Sequence, residues 1–163
     1  SCQDVILMGA AIRAQQMAGS LQSLLSLSVD YAQGREAFGR PIGKFQAIQQ
    51  NLARLAGETA AATAAASSAA DTIQNSEYFD SAVILEVAAA KIRTGEAATE
   101  CVAIAHQVHG AIGFTAEHVL HKYTQCLFAW REDFGTETEW AVKLGLMVAA
   151  NGADELWPMV ASR

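Results

Sequence analysis

The eleven residues from Ala60 to Ala70 read A-A-A-T-A-A-A-S-S-A-A, and they leave few folds open. Alanine is the best helix former, and no Pro or Gly follows Gly57 in this segment. The run therefore extends the helical period set by Phe45, Ile48, Leu52 and Leu55, giving a helix from Pro41 to about Asn75. A helix this thin packs closely, which places this half in the middle of a bundle. A low-complexity linker is the weaker reading, since the run lacks helix breakers.

Other segments share the period. Met17, Leu21, Leu24, Leu25 and Ser28 mark one stripe of a first helix, Gln3 to Arg35. Gly19 lies within it and leaves room for a helix or ligand to approach. A third helix is predicted from about Tyr78 to His109, carrying Val83, Val87, Ala90 and Thr94. Thr115 reads as the N-cap of a fourth, which has Glu117 in its first turn and reaches Trp130. A fifth follows Thr136 and runs to about Ala150, with Trp140, Leu144 and Met147 inward; Trp157-Pro158 falls in a tail. Nothing alternates with period two for long, so no sheet is expected. The prediction is an all-α fold, an antiparallel up-down bundle of four to five helices in one domain, 1–163.

The chain has 17 acidic and 11 basic residues, a net charge of −6, which argues against sequence-independent nucleic-acid binding. Charged residues make up only 17%, so part of the outer face is expected to be covered by subunits or another domain. The three cysteines, Cys2, Cys101 and Cys126, are odd in number and widely spaced, which fits reduced thiols in a cytoplasmic protein. No signal peptide and no membrane span are read. His106/His109 and His118/His121 are two i, i+3 pairs, but nothing completes a ligand set, so no metal is expected. Neither a serine-hydrolase elbow nor a strand-linked glycine fingerprint is present.

Between the first two helices lies R-E-A-F-G-R-P-I-G-K-F-Q-A-I-Q, Arg35 to Gln49. Gly39 and Pro41 suit a helix end and a helix start, which makes this a tight corner with Arg35 at its mouth. Phe38 and Phe45 are expected in the core. A surface ion pair of Arg35 with Glu36 or Asp30 is the plain reading, and a phosphate contact is the sharper one.

Three blocks together resemble the carboxy-terminal domain of the acyl-CoA dehydrogenases. Tyr31, Arg35, Phe38, Gly39, Pro41, Ile42, Phe45 and Gln46 form the first. Gln107, Gly110, Ala111, Gly113, Phe114 and Glu117 form the second, and Gly135-Thr136 the third. The resemblance implies the helical bundle of a longer flavoprotein, preceded by a helical and a β domain. It would form dimers or tetramers, as a homo- or hetero-oligomer, and hold FAD across a subunit boundary. Arg35 would pair with the FAD pyrophosphate, Gln46 would sit close to the same cofactor, and Phe38 would be among the cofactor-binding residues. Gln107, Val108, His109, Gly110 and Ala111 would meet the adenosine half of a neighbour's FAD. Thr136 would donate toward the cofactor, and Thr138 stands where a cofactor-contacting Gln is usual.

The implied reaction is FAD-dependent α,β-dehydrogenation of an acyl-CoA, which requires a base. In the family that base is commonly a Glu directly before Gly-Thr; here the residue is Phe134. The minority position, early in the first helix, falls at Gly9. No catalytic residue is therefore assigned. Glu132, Asp133 and Glu137 flank the empty position. The competing reading is a structural partner that lends FAD contacts to a catalytic chain; a related flavin oxidase or nitroalkane-type enzyme is a third.

Overall fold

The computed structural model describes residues 2–161, the side chain of Ala153 excepted. The remaining residues of the expected 1–163 domain lie outside that description. Its helices are α1 (Cys2–Gly34), α2 (Gln46–Asn75), α3 (Ser81–His109), α4 (Leu120–Glu132), α5 (Glu137–Asn151) and α6 (Leu156–Ala161).

Hydrogen bonds and ion pairs made by side chains fix the directions. Gln15 and Gln22 of α1 reach Ala66 and Thr63 of α2, so these helices run antiparallel. Arg54 and Arg93 pair with Glu100 and Glu58, which does the same for α2 and α3. Lys91 meets Trp130 while His106 meets Thr124, and α4 therefore descends along α3. The expected antiparallel all-α bundle is what forms.

The central helix is α3, which packs on α1, α2, α4 and α5. The expectation that the alanine-rich half of α2 lies in the middle is corrected. Ala62, Ala66 and Ala69 are buried, but Ala60, Ala61, Ala64 and Ser67 are exposed. Small residues thin a helix on all sides, but only the face meeting a neighbour is covered.

Two core clusters result. One gathers Met17, Leu21, Leu24, Leu55, Cys101, Leu120 and Leu127. The other joins Leu7, Ala14, Ala66, Val83, Val87 and Trp140.

Local details depart from the sequence reading. Arg35 to Pro41 is not a helix-to-helix corner alone: Glu36–Ala37 (β1) and Arg40–Pro41 (β2) pair antiparallel as a small ribbon. Its two-residue turn, Phe38-Gly39, has φ of 52° and 78°, the hairpin geometry that matches strand twist. A 3-10 turn over Ile42–Lys44 precedes α2, which starts at Gln46, not Pro41. The fourth helix starts at Leu120, not after Thr115, because a 3-10 turn, Gly110–Phe114, occupies that link. Glu117 is thus outside it. The expected tail at Trp157-Pro158 is helical, with Pro158 in the first turn of α6, where its missing N–H costs nothing.

Candidate cofactor edge and acid–base corner

Helix α1 carries a set of candidate residues at each end. Near its C-terminus, Tyr31 stacks on His109 with ring centroids 4.5 Å apart, and this brings the first and second blocks together. His118 completes the cluster, 4.8 Å from His109. The His109 Nδ1 lies 2.8 Å from the Ala105 carbonyl, while Nε2 is buried and has no hydrogen-bond partner among the described residues. Burial pushes the His109 imidazole below its ordinary range, as it does His106. Sequence reading saw two i, i+3 pairs and missed this arrangement, since only tertiary packing brings His109 and His118 together.

Arg35 follows α1 directly and is exposed; among the described residues no carboxylate pairs with it. The surface ion pair with Glu36 or Asp30 therefore does not form. Its carbonyl accepts from Ile42 N at 2.8 Å, which ties the ribbon to the start of the next helix. No side chain caps the N-terminus of α2, where Gln46 is exposed. An exposed guanidinium suits an anionic diphosphate.

Phe38 is 97% exposed, which corrects its expected place in the core. The tight ribbon turn projects it outward, edge-on to Phe45 at 6.2 Å. Phe45 is half-buried, under the Arg40 guanidinium at 4.2 Å.

In the second block, Gln107, Gly110 and Ala111 are exposed, whereas the Val108 and His109 side chains are buried. Gln107 and Gly110 line an open groove of about 460 Å³ with His106 and Phe114. Any ligand there meets the exposed members and the backbone, not the Val108 side chain.

The other end of α1 meets the α4–α5 corner. Gly9 is buried, and a Cβ placed on it would lie 2.4 Å from Phe134 Cε1. The two positions where the resemblance places a base are therefore one place in space, filled by an aromatic ring. Phe134 has a φ of 58°, a strained conformation for a residue with a side chain. Its surroundings hold it. Trp140 Nε1 donates to the Phe134 carbonyl at 3.0 Å. The Lys91 amine, buried, donates to the carbonyls of Trp130, Arg131 and Asp133 at 3.2, 3.0 and 2.9 Å.

Two of the three flanking acids are engaged. Asp133 pairs with Arg13 at 2.8 Å. Glu137 is gripped by Arg131, whose hydrogen bond holds its carboxyl below the usual carboxylate range. Glu132 is exposed at the end of α4.

Thr136 caps α5 in a reciprocal box: its hydroxyl accepts from Glu139 N, and its own N–H donates to Glu139 Oε2 at 2.8 Å. A cofactor oxygen at Thr136 would have to displace that carboxylate. Thr138 lies in a separate groove with Ile92, Glu96 and Val142. From Gly9 to Tyr31 the helix rises about 33 Å, so no compact ligand touches both ends.

Comparison with known proteins bears on the family and the fold. A family profile described as "Acyl-CoA dehydrogenase, C-terminal domain" matches residues 3–130. The Phe134 corner falls outside that match. The chain is 36% identical over 116 residues to Acyl-CoA dehydrogenase IpdE2 of Mycobacterium tuberculosis, covering 70% of this chain and 33% of that protein. It is 40% identical over 96 residues to 3-sulfinopropanoyl-CoA desulfinase of Paraburkholderia xenovorans, covering 59% and 24%. Among solved structures, the ChsE4-ChsE5 complex of Mycobacterium tuberculosis superposes with a TM-score of 0.84 at 26% identity, covering 91% of this chain and 39% of that one. The glutaryl-coenzyme A dehydrogenase–glutaryl-CoA complex gives 0.80 at 27%, covering 86% and 35%. The chain thus spans a third or less of these curated relatives' length.

Proposed function

The chain belongs to the acyl-CoA dehydrogenase family, and from that premise we propose that it lends an FAD edge to acyl-CoA α,β-dehydrogenation without supplying the base. The observation that carries this reading is the Phe134 ring lying on Gly9, a hydrocarbon where a carboxylate is needed. A phenyl ring accepts no proton, and Asp133 and Glu137 are held by guanidinium groups.

The exposed donors fit the cofactor. Arg35 would hold the diphosphate, with Gln46 beside it and Phe38 offering an uncovered aromatic face. Gln107, Gly110 and Ala111 would receive an adenosine half from a neighbouring subunit, through side chain and backbone. When bound, FAD would accept the hydride that leaves the acyl β-carbon. The α-proton would go to a base on a second chain. The protein would therefore work as a hetero-oligomer, an arrangement supported by the likeness to the ChsE4-ChsE5 complex.

The test uses the full-length protein. Purified alone, it should hold flavin that an acyl-CoA fails to bleach anaerobically; adding the second chain should restore bleaching. Bleaching by the protein alone would sink the proposal.

A further inference from the structure

Gly9 and Phe134 depend on each other. A Cβ at Gly9 would come within 2.4, 2.5 and 2.7 Å of three ring atoms of Phe134, closer than side-chain carbons ever approach. The Phe134 backbone is tied down on both sides, so the ring can leave Gly9 only by turning about its own side-chain bonds. The Phe134 carbonyl accepts from Trp140, the preceding carbonyl of Asp133 accepts from the buried Lys91, and a Cβ at Gly135 would come within 2.9 Å of Trp140 Nε1. A strained φ of 58° persists only where the surroundings over-determine it. Here the strain aims an aromatic ring at bare helix backbone.

We propose that Phe134 and Gly9 form a seal: the ring laid on the glycine fills the space where the α-carbon of an acyl thioester would lie, so this chain's own corner takes no acyl-CoA. The inference deepens the proposed function and rests on that reading of the corner. It adds a steric role to the missing base. Restoring a carboxylate at Gly9 would fail while the ring stays, whereas shrinking Phe134 would open the place to a ligand.

The test uses the full-length chain with any partner that copurifies, and two readouts that need no flavin. Calorimetric titration with butyryl-CoA and octanoyl-CoA compares the wild type with Phe134→Ala and Phe134→Gly; glycine also relieves the positive φ, which protects against a folding failure. Both variants should gain one acyl-CoA site per chain, binding at least about tenfold tighter than any wild-type site at that corner. In parallel, Gly9→Ala should lower the melting temperature by roughly 5 °C in the wild type, through overpacking. The same change should be almost neutral in Phe134→Gly. Equal binding stoichiometry in all three proteins overturns the seal. So does a Gly9→Ala penalty that is the same in both backgrounds. Lack of bound flavin would count against the FAD reading instead, and both readouts would still decide the seal.

Discussion

His109 is 3% exposed, stacked on Tyr31 and facing His118 and His106, with Nε2 in no hydrogen bond. A proton on Nε2 would create a buried donor without an acceptor beside two further imidazoles. The folded-state pKa therefore lies below the unfolded value of about 6.5, and the unfolded chain binds the proton more readily. Its contribution to stability is complete above that value and lost as pH falls below it. The melting temperature should drop between pH 7 and pH 5, and His109→Phe should flatten part of that slope. An unchanged slope would remove His109 as its source. Cys101 is a simpler case: burial pushes its thiol up to about 11, so it stays protonated at neutral pH. Thiol-reagent labelling should modify exposed Cys2 and leave Cys101 unmodified in the native chain. Arg35 sits at the opposite extreme of exposure, so Arg35→Ala should leave stability unchanged while weakening FAD retention about ten- to a hundredfold, read as flavin content after dialysis.

Among the elements, the α4–α5 corner is held mainly by a residue from a third helix. Lys91 lies on α3, and its amine satisfies carbonyls at the end of α4 that no intrahelical donor reaches. Desolvation pushes that amine down from its ordinary value, countered by Asp133 and Glu137. Lys91→Met keeps the aliphatic bulk and strands three carbonyls, at a cost of about 2–4 kcal/mol measured by denaturant unfolding. Thr136→Ala removes only the cap of α5 and should cost about 1 kcal/mol. Element type was legible because hydrophobic period and alanine content act locally. The ribbon at Glu36–Pro41 was not, since two-residue strands leave no alternation to read. The start of α4 was misplaced because Thr115 has the chemistry of a cap, yet its hydroxyl turns back to the Ile112 carbonyl.

For the whole molecule, α1 acts as a strut that separates a cofactor edge from an acid–base corner. Apolar side chains remain uncovered on the surface, including Val142 and Leu146, one turn apart on α5. Packing of this face against another subunit would cover both, and Leu146→Asp should then lower the assembly state in analytical ultracentrifugation with little loss of helicity. The sequence by itself determined the five longer helices, their antiparallel order and the family, because period, turn residues and motif spacing are carried by neighbouring positions. It also determined that no carboxylate stands at Phe134 or Gly9. Only the tertiary structure decided that those two residues, over a hundred positions apart, occupy one place. It likewise put Phe38 in the open and His109 against Tyr31. Such outcomes depend on which faces meet, and that is fixed by packing between helices and not within them.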